Sequence, residues 1–401
     1  MKIGTKNIVS KHFGSLEVLK EVFNGSVVYE RAPSAYEIGF RGMSSSSTSL
    51  TRTGDASSAD WTATSGVISV SGIDMTKIFG GYVGNDGEEL TWDSTTLKYK
   101  NGSSDYTGNV FVKINRFFIK PIYENSVLDG FDLCFADSAP DSSYQDWFLG
   151  KDHCIVGCYK ARGGGYSNGL QSKQGLTFMS ATSANDIVTA YKLNSSTAYS
   201  LHEKWYNENA ILQVLFMAIF ATKQTEDVFP QATYRHRSND TRATGYMDSY
   251  RASSLLAYEP TGNSGYRGNM FLGIEDFVGW GYELVAGVKL SGTSIAVSMD
   301  YASFSYSGTY TASSCSLPSA SGYNIETMQI DDSNVGLMIP KTASGSTYTT
   351  YFCDGMWTGG NCWYQGANTP FANVGVFSFN GIDGSSNSTG NCAGRLCGKP
   401  L

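Results

Sequence analysis

The spacing of apolar and polar positions changes several times along this chain, and the changes divide it. In the first thirty residues Ile8-Val9 and Val27-Val28-Tyr29 read as two short strands around Asn24-Gly25, the strongest short-range hairpin signal. Ala32-Pro33-Ser34 follows as a linker, so residues 1–33 are expected to form a β-hairpin module too small to own a core. Residues 34–108 form a leading β and loop segment, with Val67-Ile68-Ser69-Val70 as a strand and Asn85-Asp86-Gly87 and Asn101-Gly102 as turns. Residues 109–401 form the main body. It opens on Val110 to Ile119, which alternates, then becomes continuously apolar, and is expected to be one strand ended by Pro121.

One helix is predicted. Ser200-Leu201-His202-Glu203 has the form of a capping box, and Leu201, Trp205, Leu212, Leu215, Phe216 and Ile219 follow at helical spacing. Its inner half, Ala210 to Ala221, is apolar nearly all round. That run is about a dozen residues with Gln213 inside it, against about 20 for a membrane span, so a buried helix is expected. After Gly262 the pattern returns to short β-prone runs, from Val285 to Val297 and from Tyr301 to Tyr310. The fold class expected is therefore α+β and loop-rich.

Composition narrows the function. Charged residues are 16% of the chain, well under the usual quarter, and Ser, Thr, Gly, Asn and Tyr take their place. With 29 basic and 36 acidic residues the net charge is −7 and no basic cluster stands out, so nucleic acid is an unsuitable partner. No apolar run follows the charged start Met1-Lys2-Ile3-Gly4-Thr5-Lys6, so no secretory signal is expected, and no membrane insertion. Eight cysteines contain no C-x-x-C pair and are expected as buried free thiols.

Catalytic signatures are absent. Four histidines occur without H-E-x-x-H, and neither G-x-S-x-G nor G-K-[S/T] is present. Gly163-Gly164-Gly165 lacks the Lys that a phosphate cradle needs. His202 reads as a solvated helix-face residue. Asp331-Asp332 and Asn85-Asp86-Gly87-Glu88-Glu89 offer oxygens to calcium without the spacing of a known calcium loop, and are expected as solvated turns. No carboxylate pair is nominated for glycan hydrolysis. No catalytic residue, metal ligand or cofactor is assigned.

The binding signal is stronger. Between Thr347 and Phe371 the aromatic residues Tyr348, Tyr351, Phe352, Trp357, Trp363, Tyr364 and Phe371 are interleaved with Gly, Asn361, Gln365 and Asn368, with no regular period. Aromatic and Asn side chains on Gly-rich loops suit a recognition face. Roughly half are expected to be buried, Trp363 and Phe371 first.

Several segments resemble one family of phage and prophage proteins, tail-associated adhesins or receptor-binding proteins with a C-type-lectin-type domain akin to the formylglycine-generating-enzyme fold. The segments are Leu50-Thr51-Arg52-Thr53-Gly54-Asp55-Ala56, Gly108 to Ile114 with Phe117-Phe118, Cys154 to Ala161, and Ile211 to Phe216 with Phe220-Ala221-Thr222. The strongest is Tyr266-Arg267-Gly268 followed by Gly273 to Gly287, with Val278 where the family has Trp; the last is Gly375-Val376-Phe377 with Ser388 to Leu396. Lys2 to Lys6 with Val27-Val28-Tyr29 is similar to short N-terminal modules of phage structural proteins.

The resemblance implies a lectin-type domain in which Gly273 to Gly287 is framework, the last strands close the domain, and the loops before Gly375 form the binding face. It implies a non-enzymatic virion protein, made in the host bacterial cytoplasm, that recognises a bacterial surface glycan or protein. Residues 1–33 would attach it to other virion proteins, and trimers are expected. The expected contact residues are Tyr348, Tyr351, Trp357, Asn361, Trp363, Tyr364, Gln365 and Asn368. The alternative is a structural virion protein, a capsid decoration or tail-assembly component, on the same fold; a glycan-degrading enzyme ranks third.

Overall fold

The computed structural model describes residues 35–160, 169–176, 183–230, 243–260, 268–279, 281–319, 323–344, 350–366, 375–387 and 392–401, together with the backbone of four strands before residue 31. Gly163 to Gly165, Tyr266-Arg267, Trp280, Tyr348, Asn368, Phe371 and Ser388 to Asn391 lie outside the described residues.

The N-terminal strands Lys2–Ile3, Lys6–Ser10, Lys20–Phe23 and Ser26–Glu30 form an antiparallel meander. The hairpin flanking Asn24-Gly25 is present, but the partner of Ser26–Glu30 is Lys20–Phe23 and not the strand holding Ile8-Val9.

Beyond it the chain is mostly β-sheet. An eight-stranded antiparallel sheet runs Ser104–Asp105, Lys98–Asn101, Glu89–Asp93, Phe79–Val83, Phe111–Asn115, His153–Gly157, Leu396–Pro400 and Tyr199–Glu203. A seven-stranded mixed sheet runs Met338–Ser344, Tyr323–Ile330, Gly355–Trp357, Phe379–Asn380, Trp363–Gln365, Tyr282–Val285 and Cys392–Ala393. Smaller sheets of four, five and three strands complete the body. The last strand, Leu396–Pro400, lies between His153–Gly157 and Tyr199–Glu203, so chain segments far apart in sequence close one sheet.

Two expectations fail here for the same reason. Residues 110–119 do not make one strand. Phe111–Asn115 joins the eight-stranded sheet, whereas Phe118–Glu124 pairs with Val127–Phe135 in another. Pro121 does not end it; it sits opposite Phe131 on an edge strand, where a missing N–H costs no ladder bond on the paired side. Residues 200–203 are not a helix start either. Tyr199–Glu203 pairs residue by residue with Leu396–Pro400, and the helix begins one turn later, at Tyr206–Phe220. Its capping carboxylate is that of Glu208, which accepts the Trp205 N–H at 2.9 Å. In both cases a distant strand partner outweighs the local pattern. Tyr301 to Tyr310 likewise forms turns, and the strand follows at Thr311–Ser316.

Every residue of helix Tyr206–Phe220 is buried. Phe216 is its hub, in ring contact with Phe220, Phe229, Phe271, Phe277 and Phe377 at 5.0 to 6.5 Å. One continuous apolar cluster extends from Ile38 to Cys397 around it. Among the described residues, no helix is long and apolar enough to cross a membrane. No disulfide joins any of the eight cysteines, and all but Cys315 are buried.

Candidate functional site

The most heavily charged region of the interior is a clamp around Glu283. Strand Tyr282–Val285 carries this carboxylate inward, where it meets three cations brought by three other segments. Lys204, in the link between strand Tyr199–Glu203 and the central helix, approaches Oε1 at 2.5 Å. Arg395, just before the last strand, approaches Oε2 at 2.8 Å through Nη2 and at 3.0 Å through Nε. Lys160, past the end of strand His153–Gly157, stands at 3.7 Å.

Each cation also has neutral acceptors. Arg395 donates to the carbonyls of Gly157, Glu275 and Asp276; Lys160 donates to those of Gly279 and Gly281; Lys204 donates to Oε1 of Gln365. Burial alone would raise the Glu283 carboxyl, but Arg395, Lys204 and Lys160 hold it far below the usual carboxylate range. Burial pushes the Lys160 ammonium down to about 8 although Glu283 opposes that. Glu203, nearby, is pushed well up by burial, and its Oε1 accepts the Arg395 N–H at 2.8 Å. With Glu283 and Arg395 both nearly inaccessible among the described residues, this centre fastens residues 157–160, 275–279, 281–283, 365 and 395 to one another.

His202 belongs to the same closed interior. It is fully buried rather than solvated, stacks on Tyr301 at 4.2 Å, and lies 3.3 Å from Glu208. Lys399 reaches the same Glu208 oxygen at 3.3 Å. Asp331 is likewise not a solvated turn residue. Its buried carboxylate accepts from the hydroxyls of Ser313 and Ser314, from the Ser333 N–H and from the Asn334 amide. Among the described residues no group of three or more His, Cys, Asp or Glu side chains is placed to hold a metal.

The aromatic stretch is divided by the structure. Trp363, Tyr364 and Gln365 are buried at 1%, 0% and 3% exposure, so none of the three can present its side chain to another molecule. Trp363 stacks on Phe379 at 4.8 Å, Tyr364 packs against Tyr282, and Gln365 serves the clamp through Lys204. Their strand lies inside the seven-stranded sheet with neighbours on both sides, which the irregular spacing in sequence does not reveal.

Tyr351, Trp357 and Asn361 are half-buried. Asn361 is already committed: its Oδ1 accepts the Ser385 N–H at 2.6 Å and ties one turn to the next. Tyr351 has a left-handed backbone (φ 59°), donates its N–H to Ser46, and has the Lys223 ammonium 5.9 Å from its ring. It precedes strand Gly355–Trp357, whereas Trp357 ends it, so the two flank that strand at its opposite ends. Beside Trp357 the adjoining turn exposes Ile382 by half, and Gly381 donates its N–H to the Trp357 carbonyl at 2.7 Å. Of the expected face, Tyr351, Trp357 and Asn361 keep partial access to solvent, and Thr358, Gly359 and Ile382, which the sequence pattern did not nominate, lie beside Trp357.

Behind Tyr351, Asp354 and Glu226 form a second buried acidic site. Asp354 Oδ2 accepts the Phe377 N–H at 2.8 Å. Burial raises both carboxyls, Glu226 to about 8 with Asp227 adding to the effect, and Asp354 well above its ordinary value with Glu226 adding to it. Sequence spacing has no signal for this pair, which is 128 positions apart and meets only through the fold. No protein-family model matches this chain, and no curated protein matches it.

Proposed function

We propose that this protein is a virion adhesin whose body is a C-type-lectin-type domain, built to display loops to a bacterial surface molecule. The observation that carries the reading is the clamp. Lys160, Glu283 and Arg395 come from three separate segments that resemble the phage family, and they meet at one buried point. A framework fastened this way from inside tolerates change in its outer loops, which is what a recognition protein needs. The N-terminal meander attaches the chain to the particle, and trimerisation supplies avidity for weak individual contacts.

The recognition surface centres on Trp357 and Ile382, since these are large apolar side chains reachable from solvent at the end of the seven-stranded sheet. Loss of an interface Trp commonly costs 2 kcal/mol or more, about 30-fold in affinity. The test is flow cytometry of fluorescently labelled full-length protein on a panel of whole bacterial cells. Labelling of some strains, cut at least tenfold in the Trp357→Ala, Ile382→Ser double variant, is the expected result. Labelling of no strain overturns the adhesin reading, and labelling that the double variant leaves intact overturns the placement of the face.

A further inference from the structure

Two hairpins bound a groove of about 440 Å3 whose lining takes in none of the residues given a role above. One hairpin is Phe118–Glu124 with Val127–Phe135, joined by Asn125 and Ser126, both left-handed (φ 49° and 65°) as a tight two-residue turn requires. The other is Tyr323–Ile330 with Met338–Ser344. The floor is apolar, with Leu128 and Met328 buried at 1% and 2% exposure. The walls are polar. Tyr123 stands 49% exposed at the rim, and Asp332 and Lys341 are exposed beside it.

We infer that this groove is a binding site for a neutral saccharide. A sugar ring presents an apolar face that packs on an aromatic ring, and hydroxyls that both donate and accept. Tyr123 supplies the ring. Asp332 accepts only, Lys341 donates only, and the Tyr123 hydroxyl does both, so hydroxyls satisfy all three at once. Among the described residues, neither Asp332 nor the Tyr123 hydroxyl has a hydrogen-bond partner, and the Lys341 ammonium has only a long contact of 3.5 Å to the Ser126 carbonyl. These groups are thus uncommitted, unlike Asp331 next to them, whose oxygens are taken up by the Ser313 and Ser314 hydroxyls, the Ser333 N–H and the Asn334 amide. One carboxylate and one ammonium leave the groove without net charge, which favours a neutral sugar over a sialylated or sulfated one. The size falls within the range of small-ligand sites. The inference goes beyond the host-recognition reading, since neither Trp357 nor Ile382 lines the groove, and its footing is the groove's own chemistry.

The experiment probes full-length protein on an array of neutral oligosaccharides of glucose, galactose, mannose and N-acetylglucosamine, with sialylated and sulfated counterparts alongside. Signal on neutral members is expected. It should fall at least tenfold in Tyr123→Ala and in Asp332→Asn, while Asp105→Asn, outside the groove lining, leaves it unchanged. Both groove positions are exposed, and an unchanged melting temperature confirms that each variant is folded. Absence of neutral-sugar signal, signal confined to acidic glycans, or signal that both groove variants retain overturns the inference. Groove-dependent sugar binding without any cell labelling upholds the groove and overturns the adhesin reading, so the two can fail separately.

Discussion

Replacing Glu283 by Gln removes the one carboxylate that three buried cations share, with little change in shape. Breaking a buried ion pair by deleting one partner costs about 3–5 kcal/mol, because the remaining charge is left without a counter-ion. Three cations do not triple this. Lys160, already lowered to about 8 by burial, gives up its proton more readily once Glu283 no longer opposes that. Arg395 cannot do so, and its guanidinium, 1% exposed, keeps only carbonyl acceptors. The cost is therefore set mainly by Arg395 and Lys204, at about 4 kcal/mol. That is a large part of the roughly 5–15 kcal/mol that holds a typical domain folded. With an unfolding entropy of about 2.1 cal/mol/K per residue, it lowers the melting temperature by about 5 °C.

The assay is differential scanning calorimetry of wild type and Glu283→Gln across pH. Because the folded state depresses this carboxyl, its contribution is complete above the ordinary Glu value near 4.3 and is lost as the medium is acidified below it. The gap between the two proteins should be full at pH 6–7 and narrow below about pH 4.3. Asp105→Asn, which breaks an exposed pairing with Lys98 and Lys100, serves as control and should leave the midpoint in place. A Glu283→Gln midpoint within 1 °C of wild type at pH 7 would refute the clamp.

Two further outcomes are expected. Glu226, raised to about 8 mainly by burial, holds its proton in the folded chain and releases it near 4.3 when unfolded, so stability declines as pH rises between those values. In Glu226→Gln the melting temperature measured from pH 5 to pH 9 should decline less steeply, and equal slopes would count against the carboxyl pair. Gly287 has φ 81°, and a Cβ there would sit 2.0 Å from Trp205 Nε1, which donates to the Ser298 carbonyl at 2.7 Å. Gly287→Ala should therefore cost about 1–3 kcal/mol through left-handed strain and the displaced indole, seen as a lower urea midpoint.

Features that depend on near neighbours were legible in the amino-acid sequence. The run from Ala210 to Ala221 marked a helix covered on most sides, and the structure buries every residue of Tyr206–Phe220. Asn101-Gly102 and Asn85-Asp86-Gly87 marked turns, and both join paired strands, Lys98–Asn101 with Ser104–Asp105 and Phe79–Val83 with Glu89–Asp93. Turn chemistry and helical burial are set by backbone sterics and spacing within a few residues, so the chain carries them wherever it goes.

Partner choice was decided by the tertiary structure alone. Ser200 to Glu203 has the letters of a capping box, yet the ladder with Leu396–Pro400 claims it, because several backbone hydrogen bonds outweigh one cap. Trp363, Tyr364 and Gln365 have the look of a binding loop, yet strands on both sides enclose them. The uncommitted groups of Tyr123, Asp332 and Lys341 are more than two hundred positions apart at their widest and meet only where two hairpins face each other. Burial and long-range pairing depend on which distant segments arrive, and no local window of sequence holds that information.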